Sequence, residues 1–151
     1  MLDGSKALKN ALLEAFPGTL IQRCLVHKER NLRGYLPRKH WATLAELLNR
    51  LRRARGEKTA LKCAEDIALF LSDKNEQARE SFAETNKELL ALFRLGVPKT
   101  LKVSLLSTNA IKNAFKNLRR HVERVCRWRE ETRQTDLWVA SGLTLASQGL
   151  R

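Results

Sequence analysis

Apolar residues recur at helical spacing along most of this chain. Between Ser5 and Phe16, Leu8, Ala11, Leu12 and Ala15 fall three or four residues apart, which predicts a helix that Pro17-Gly18 stops. Thr19–Val26 departs from that period. Leu20, Ile21, Leu25 and Val26 make it short, apolar and partly β-branched, which predicts a buried strand over about 20–26. A polar, helix-like stretch from His27 to Tyr35 follows and closes at Pro37. From Arg38 to Arg55, Trp41, Leu44, Leu48 and Leu51 mark one helix face, and Gly56 interrupts it. Thr59 is placed to cap the next helix, whose buried face is Leu61, Ala64, Ile67, Ala68 and Leu71. One further helix, Asn75 to Leu95, carries Ala78, Phe82, Leu89 and Phe93 and ends at Gly96-Val97-Pro98. In Thr100–Leu105, Val103 and Leu105 give a weak second strand at 101–106, or a loop.

The last third holds the longest pattern. Ser107 and Thr108 are good N-cap types. At 100° per residue, Ile111, Ala114, Phe115, Leu118, Val122 and Val125 form one stripe of the helix that follows. Lys112, Lys116, Arg119, Arg120, Arg124 and Arg127 form the opposite stripe, with Glu123 the nearest acid. Trp128 and Trp138 are placed to anchor a final helix from Asp136 to about Ser147. A helix face of like charges repels itself, so a polyanion that neutralises it stabilises it. Arginine dominates the stripe, and its planar fork suits phosphate oxygens.

Charge supports that direction. The 151 residues contain 29 Lys+Arg against 16 Asp+Glu, a formal charge of +13. The excess is uneven: residues 1–44 carry net +5, residues 45–95 net +1 and residues 96–151 net +7. A nearly neutral block thus separates two basic flanks. A basic protein can carry its charge without a ligand, but nucleic acid is the commonest partner of such a surface. Mean hydropathy is −0.40, and no apolar stretch approaches the ~20 residues of a membrane span. Met1 to Lys9 leads into no apolar export segment. These features argue against membrane and secreted classes and for a cytoplasmic protein. Three cysteines, Cys24, Cys63 and Cys126, with no Cys-x-x-Cys pair, fit free thiols in a reducing compartment. The length suits one domain, or a domain with an appendage.

Three fragments, in order, carry more specific information. The first is Asp3-Gly4-Ser5-Lys6-Ala7-Leu8, leading to Phe16-Pro17. The second is Gln22-Arg23-Cys24-Leu25-Val26-His27-Lys28-Glu29-Arg30-Asn31, closed by Leu36-Pro37. The third is Ser107-Thr108-Asn109-Ala110-Ile111-Lys112-Asn113, followed by Leu118-Arg119-Arg120 and Arg127-Trp128-Arg129. Together they resemble the C-terminal half of a Mutator-type transposase, the family shared by bacterial insertion sequences and related plant elements. The resemblance runs from Asp3 to about Leu143, and the Cys-x-x-His-Lys-x-Arg-Asn string is its most specific part.

That resemblance implies a DDE transposase on an RNase H-like fold, cleaving phosphodiesters at element ends and transferring strands. Three carboxylates in such enzymes hold two Mg²⁺ ions, hard cations that prefer oxygen ligands. Asp3 matches the second catalytic Asp; by itself it reads equally as a cap for the Ser5 helix. Cys24 and His27 match a signature beside the active site. A lone Cys-x-x-His is a poor zinc site because structural zinc takes four ligands, so Cys24 reads as a buried strand residue and His27 as a polar organiser or substrate-side group. Lys112 stands where the family string Thr-Asn-x-Ile-Glu has its third carboxylate, and an ammonium cannot ligate Mg²⁺. The first catalytic Asp belongs upstream of Asp3. The expectation is therefore a truncated copy, inactive alone, with Asp3 as its one metal ligand.

The fold expected is mainly α with a minor β part: a partial RNase H-like α/β fold carrying a helical insertion. Residues 1–37 form its first segment, 38–98 the insertion and 99–151 a basic helical segment of the core. The expected partner is double-stranded DNA at insertion-element ends, contacted by Lys112, Lys116, Arg119, Arg120, Arg124, Arg127 and Arg129. Full-length transposase or a second copy is a further candidate partner, in a nucleoid-associated setting and away from any membrane. The alternatives are a non-catalytic DNA-binding or inhibitory fragment and, with no RNA motif to support it, a binder of structured RNA.

Overall fold

The computed structural model describes residues 1–123, 125 and 133–148. It is mainly helical and divides into two compact units, residues 1–108 and 109–151. In the first unit, α1 (Lys6–Ala15), α2 (Leu25–Tyr35), α3 (Trp41–Arg53), α4 (Glu57–Lys74), α5 (Glu76–Leu89), α6 (Ala91–Arg94) and α7 (Lys99–Leu105) follow one another, with a 3₁₀ turn at Arg38–His40. The second unit contains α8 (Asn109–Val122) and α9 (Gln134–Gln148).

The core of the first unit follows the helical period. Leu44, Leu48 and Leu51 of α3 face Ala60, Ala64, Ile67 and Leu71 of α4, and Ala78, Phe82 and Leu89 of α5 close over them. Leu25, Leu32 and Leu36, around α2, belong to the same apolar cluster. Trp41 completes its edge: its indole N–H donates to Leu36 O at 3.0 Å, and the guanidinium groups of Arg33 and Arg38 lie over its ring. Asn75 ends α4 and starts α5. Its side-chain oxygen accepts from Ala78 N at 2.9 Å, while its amide donates to Tyr35 O.

Four sequence expectations are corrected. Residues 20–26 do not form a strand. Only one isolated parallel bridge, Leu2 to Arg23, occurs there, and α2 has already begun at Leu25. Leu2 N donates to Gln22 O and Cys24 N to Leu2 O, but Arg23 N turns to Glu88 O at the end of α5. A strand needs a neighbour along its length; here Leu2 supplies one rung and a helix terminus takes the next donor. The apolar run Leu25-Val26 is the first turn of a helix, an ambiguity inherent in short apolar runs.

Residues 101–105 lie in helix α7, with Leu106 as its C-cap, rather than in a strand or loop. The buried pair is Lys102 and Leu106, four apart, while Leu101 is exposed. Lys102 directs its amine to Ala54 O and over the Phe93 ring. The predicted helix 75–95 breaks at Leu90 into α5 and α6. Buried Gln22 occupies the break: its amide N–H₂ donates to Leu89 O at 3.1 Å and to Arg23 O at 2.9 Å, and its Oε1 accepts from Leu92 N at 3.1 Å. Finally, Gly56 rather than Thr59 precedes α4 as its cap residue.

Candidate functional site

The first unit brings three distant sequence fragments together. Leu2 and Cys24 share a backbone hydrogen bond, so the Asp3-Gly4 turn lies beside the start of the Cys-x-x-His motif. Leu25 N donates to Leu106 O at 3.0 Å, which joins that motif to the Ser107-Thr108 segment. The sequence motifs thus meet around the N-terminal end of α2.

Asp3 is exposed, and its Oδ1 accepts from Ser5 N at 3.3 Å. It is not the cap of α1: Ser5 is, with Oγ accepting from Leu8 N at 3.2 Å. Gly4 has φ +129°, and a Cβ there would lie 3.0 Å from Arg23 Nη1. The turn therefore favours glycine for its backbone angle, and a Cβ would in addition need the guanidinium packed on it to give by a few tenths of an ångström. That guanidinium is held by Glu88, whose Oε2 accepts from Arg23 Nε at 2.9 Å and whose Oε1 meets Lys9 Nζ at 2.5 Å. Glu88 so ties α1 and the bridge segment to the end of α5. Glu88 carries no motif signal in the sequence, and Gln22, which opens the second fragment, gives no sign there of the helix break it fills.

Cys24 is fully buried, as expected, although at a helix start rather than in a strand. His27 Nδ1 lies 3.1 Å from its Sγ. Lys28 and Asn31, also in the motif, face α5. Lys28 Nζ donates to Ser81 O and to Ser81 Oγ at 2.8 Å, and Ser81 Oγ donates to Asn31 Oδ1 at 2.9 Å. Burial pushes the Lys28 amine down from 10.5 to about 8, and the Arg23 charge adds to that effect.

That shift has a pH signature. In the unfolded chain Lys28 keeps its proton to its ordinary pKa, so between about pH 8 and 10.5 the unfolded state binds more protons than the folded one. Stability contributed at Lys28 therefore rises with pH across this window. Urea unfolding of the wild type and Lys28→Met from pH 7 to 10.5 should show the difference between them moving in favour of the wild type as pH rises. A difference that is flat, or that moves the other way, contradicts the buried amine.

In the second unit, Lys112, Lys116, Arg119 and Arg120 of α8 are all exposed and, with Phe115 and Glu123, line a shallow groove of about 590 Å³. α9 packs on the other side. A Cβ on Gly142 would fall 2.4 Å from Leu118 Cδ1, His121 Nε2 lies 3.1 Å from Ser141 Oγ, and the His121 and Trp138 rings stand 5.3 Å apart. This contact corrects the apolar stripe. Ala114, Leu118 and Val122 are half-buried together with His121, whereas Ile111 and Phe115 are exposed. Arg124, Arg127, Arg129 and Trp128 lie outside the described residues.

The family described as "Transposase, Mutator family" matches residues 1–137. The chain belongs to the Mutator family. The transposase for insertion sequence element IS905 of Lactococcus lactis is 29% identical over 122 residues, which are 81% of this chain and 30% of that protein. The transposase for ISRM3 of Rhizobium meliloti is 27% identical over 123 residues, again 81% and 30%. The transposase for IST2 of Acidithiobacillus ferrooxidans is 29% identical over 122 residues, 81% and 40%. This Mutator-family chain thus spans about a third of the length of the curated relatives it matches. No solved structure matches it. Among the described residues, no helix is long and apolar enough to cross a membrane. Among them, too, no three His, Cys, Asp or Glu side chains gather where they could hold a metal ion.

Proposed function

We propose that this polypeptide is a transposase-family protein of DNA transposition that contacts the DNA of insertion-element ends and does not cut it alone. The match to the Mutator family over residues 1–137 carries the reading. By that resemblance the first unit and α8 belong to an RNase H-like core with a helical insertion at 38–98. Asp3 takes the place of the second catalytic carboxylate, and Cys24 and His27 stand beside it.

The family's two Mg²⁺ ions call for three carboxylates. The residues present do not fit them. Asp3 is a single exposed carboxylate bonded to its own turn, and Lys112 puts an ammonium where the third belongs. The chain's cationic α8 face suits phosphate instead: four exposed cations on one helix neutralise a duplex backbone and release its counterions. Full-length transposase or a second copy is the protein partner proposed, in the bacterial cytoplasm at the nucleoid.

The test is direct. The purified 151-residue chain, incubated with MgCl₂ and supercoiled plasmid bearing the element's terminal sequences, should leave the plasmid uncut while retarding a duplex from the same ends. Mg²⁺-dependent nicking would overturn the claim of inactivity. Failure to retard any duplex at low salt would overturn the DNA-contacting role.

A further inference from the structure

We propose that Cys24, His27 and Thr108 form a clasp that fixes the backbone at Thr108, the residue from which α8 departs. Cys24 and His27 are then positioning residues for that backbone, not ligands or nucleophiles. The proposal deepens the DNA-contacting reading above, since α8 carries the cations invoked there.

The geometry is specific. Cys24 is the N-cap residue of α2, but its side chain caps no backbone N–H of that helix. Its sulfur is engaged elsewhere: Thr108 N donates to Sγ at 3.4 Å, and Thr108 Oγ1 lies 3.7 Å from the same atom. His27, three residues on and so on the same face of α2, closes the set with Nδ1 3.1 Å from Sγ and 3.5 Å from Thr108 Oγ1. Beside it, the Leu25 N–H, one of the free donors of a helix start, is satisfied by Leu106 O. Both ends of the 106–108 segment are therefore held to the first turn of α2, across more than 80 residues of sequence.

Proton counting gives each atom one role. We assign the thiol S–H as donor to His27 Nδ1, which places the ring proton on Nε2 and leaves the sulfur lone pairs for the Thr108 N–H. The Thr108 hydroxyl then donates to sulfur, because the one lone pair of Nδ1 already accepts the thiol proton. Cys24→Ala removes both the acceptor for a buried N–H and the donor to the ring. The Cys-x-x-His spacing follows: the two side chains must stack on one helix face to reach a single threonine. Cys24, His27 and Thr108 all lie in the first unit, so the clasp stands independently of the second.

Amide hydrogen exchange of the full chain tests this. In Cys24→Ala, exchange at Thr108 should quicken roughly five- to tenfold, the loss of about one net hydrogen bond, while Ile67 in the core of α4 keeps its wild-type rate. The His27 ring nitrogen signals should move in the same variant. In a Cys63→Ala, Cys126→Ala background, Thr108→Val should speed labelling of Cys24 by a thiol reagent, and Thr108→Ser, which keeps the hydroxyl, should restore the slow rate. This pair carries the test if Cys24→Ala does not fold. Unchanged Thr108 exchange in a folded Cys24→Ala, or equal labelling of the Val and Ser variants, overturns the clasp. Duplex affinity separates the two proposals. A wild-type chain that binds no DNA ends the DNA-contacting role and leaves exchange to decide the clasp. A clasp variant whose Thr108 exchange quickens but whose affinity is unchanged shows that the clasp does not serve the cationic face.

Discussion

Replacing Lys116, Arg119 and Arg120 by glutamate is expected to abolish retention of duplex DNA. All three lie exposed on α8 and face the same groove. Each phosphate contact contributes roughly 0.9 to the slope of log affinity against log salt, so losing three should flatten that slope by about 2.7 and lower affinity at low salt on the order of 100-fold or more. The control is Lys58→Glu with Lys62→Glu on α4. These are exposed cations of the nearly neutral block, and their reversal changes net charge with little change in salt slope. Retardation titrations from 50 to 300 mM salt measure both. Equal losses in the two variants would mean that net charge, not the α8 face, attracts the DNA.

The largest effect on stability is expected at Phe82. It is 1% exposed at the centre of the α3–α4–α5 packing. Phe82→Ala removes a buried ring and leaves a cavity that helices crossing on three sides close only in part, at about 3–5 kcal/mol. Domains of this size are stable by about 5–15 kcal/mol in total, so the urea midpoint should fall by a large fraction of its wild-type value. Leu69, on the same layer of helices but 73% exposed, supplies the comparison. Leu69→Ala should stay within about 0.5 kcal/mol of wild type. Similar midpoints for the two variants would refute the core as described.

The helices of the neutral block were legible because their burial is amphipathic and local. Leu44, Leu48 and Leu51, or Ala64, Ile67 and Leu71, repeat at a period that no strand shares, and all six lie in the core, although Leu61, expected on the same face of α4, is exposed. Exposed cations at 112, 116, 119 and 120 were legible for the same reason. What failed depended on distant partners. Leu25-Val26 reads as strand or helix from five residues of context, and the choice fell to Leu106 O, which accepts from Leu25 N, and Glu88 O, which accepts from Arg23 N just before it. Phe115 fits the apolar stripe of α8, but α9 packs around Leu118 and His121 and leaves it exposed. The break at Leu90 had no proline or glycine to announce it; a glutamine about 70 residues away takes its backbone groups.

By itself, then, the sequence determined the helical layers, the basic character of α8, the lysine at position 112 and membership of the Mutator family, because period, charge and motif order are properties of the chain read in line. The tertiary structure decided that Asp3-Gly4, Cys24-x-x-His27 and Thr108 converge on the first turn of α2. It also decided that the bridge at Leu2 stays a single rung and that Gln22 and Glu88 hold the segment in place. Hydrogen-bond donors and acceptors must be satisfied wherever they are buried, and which atom satisfies them is settled only when remote parts of the chain pack together.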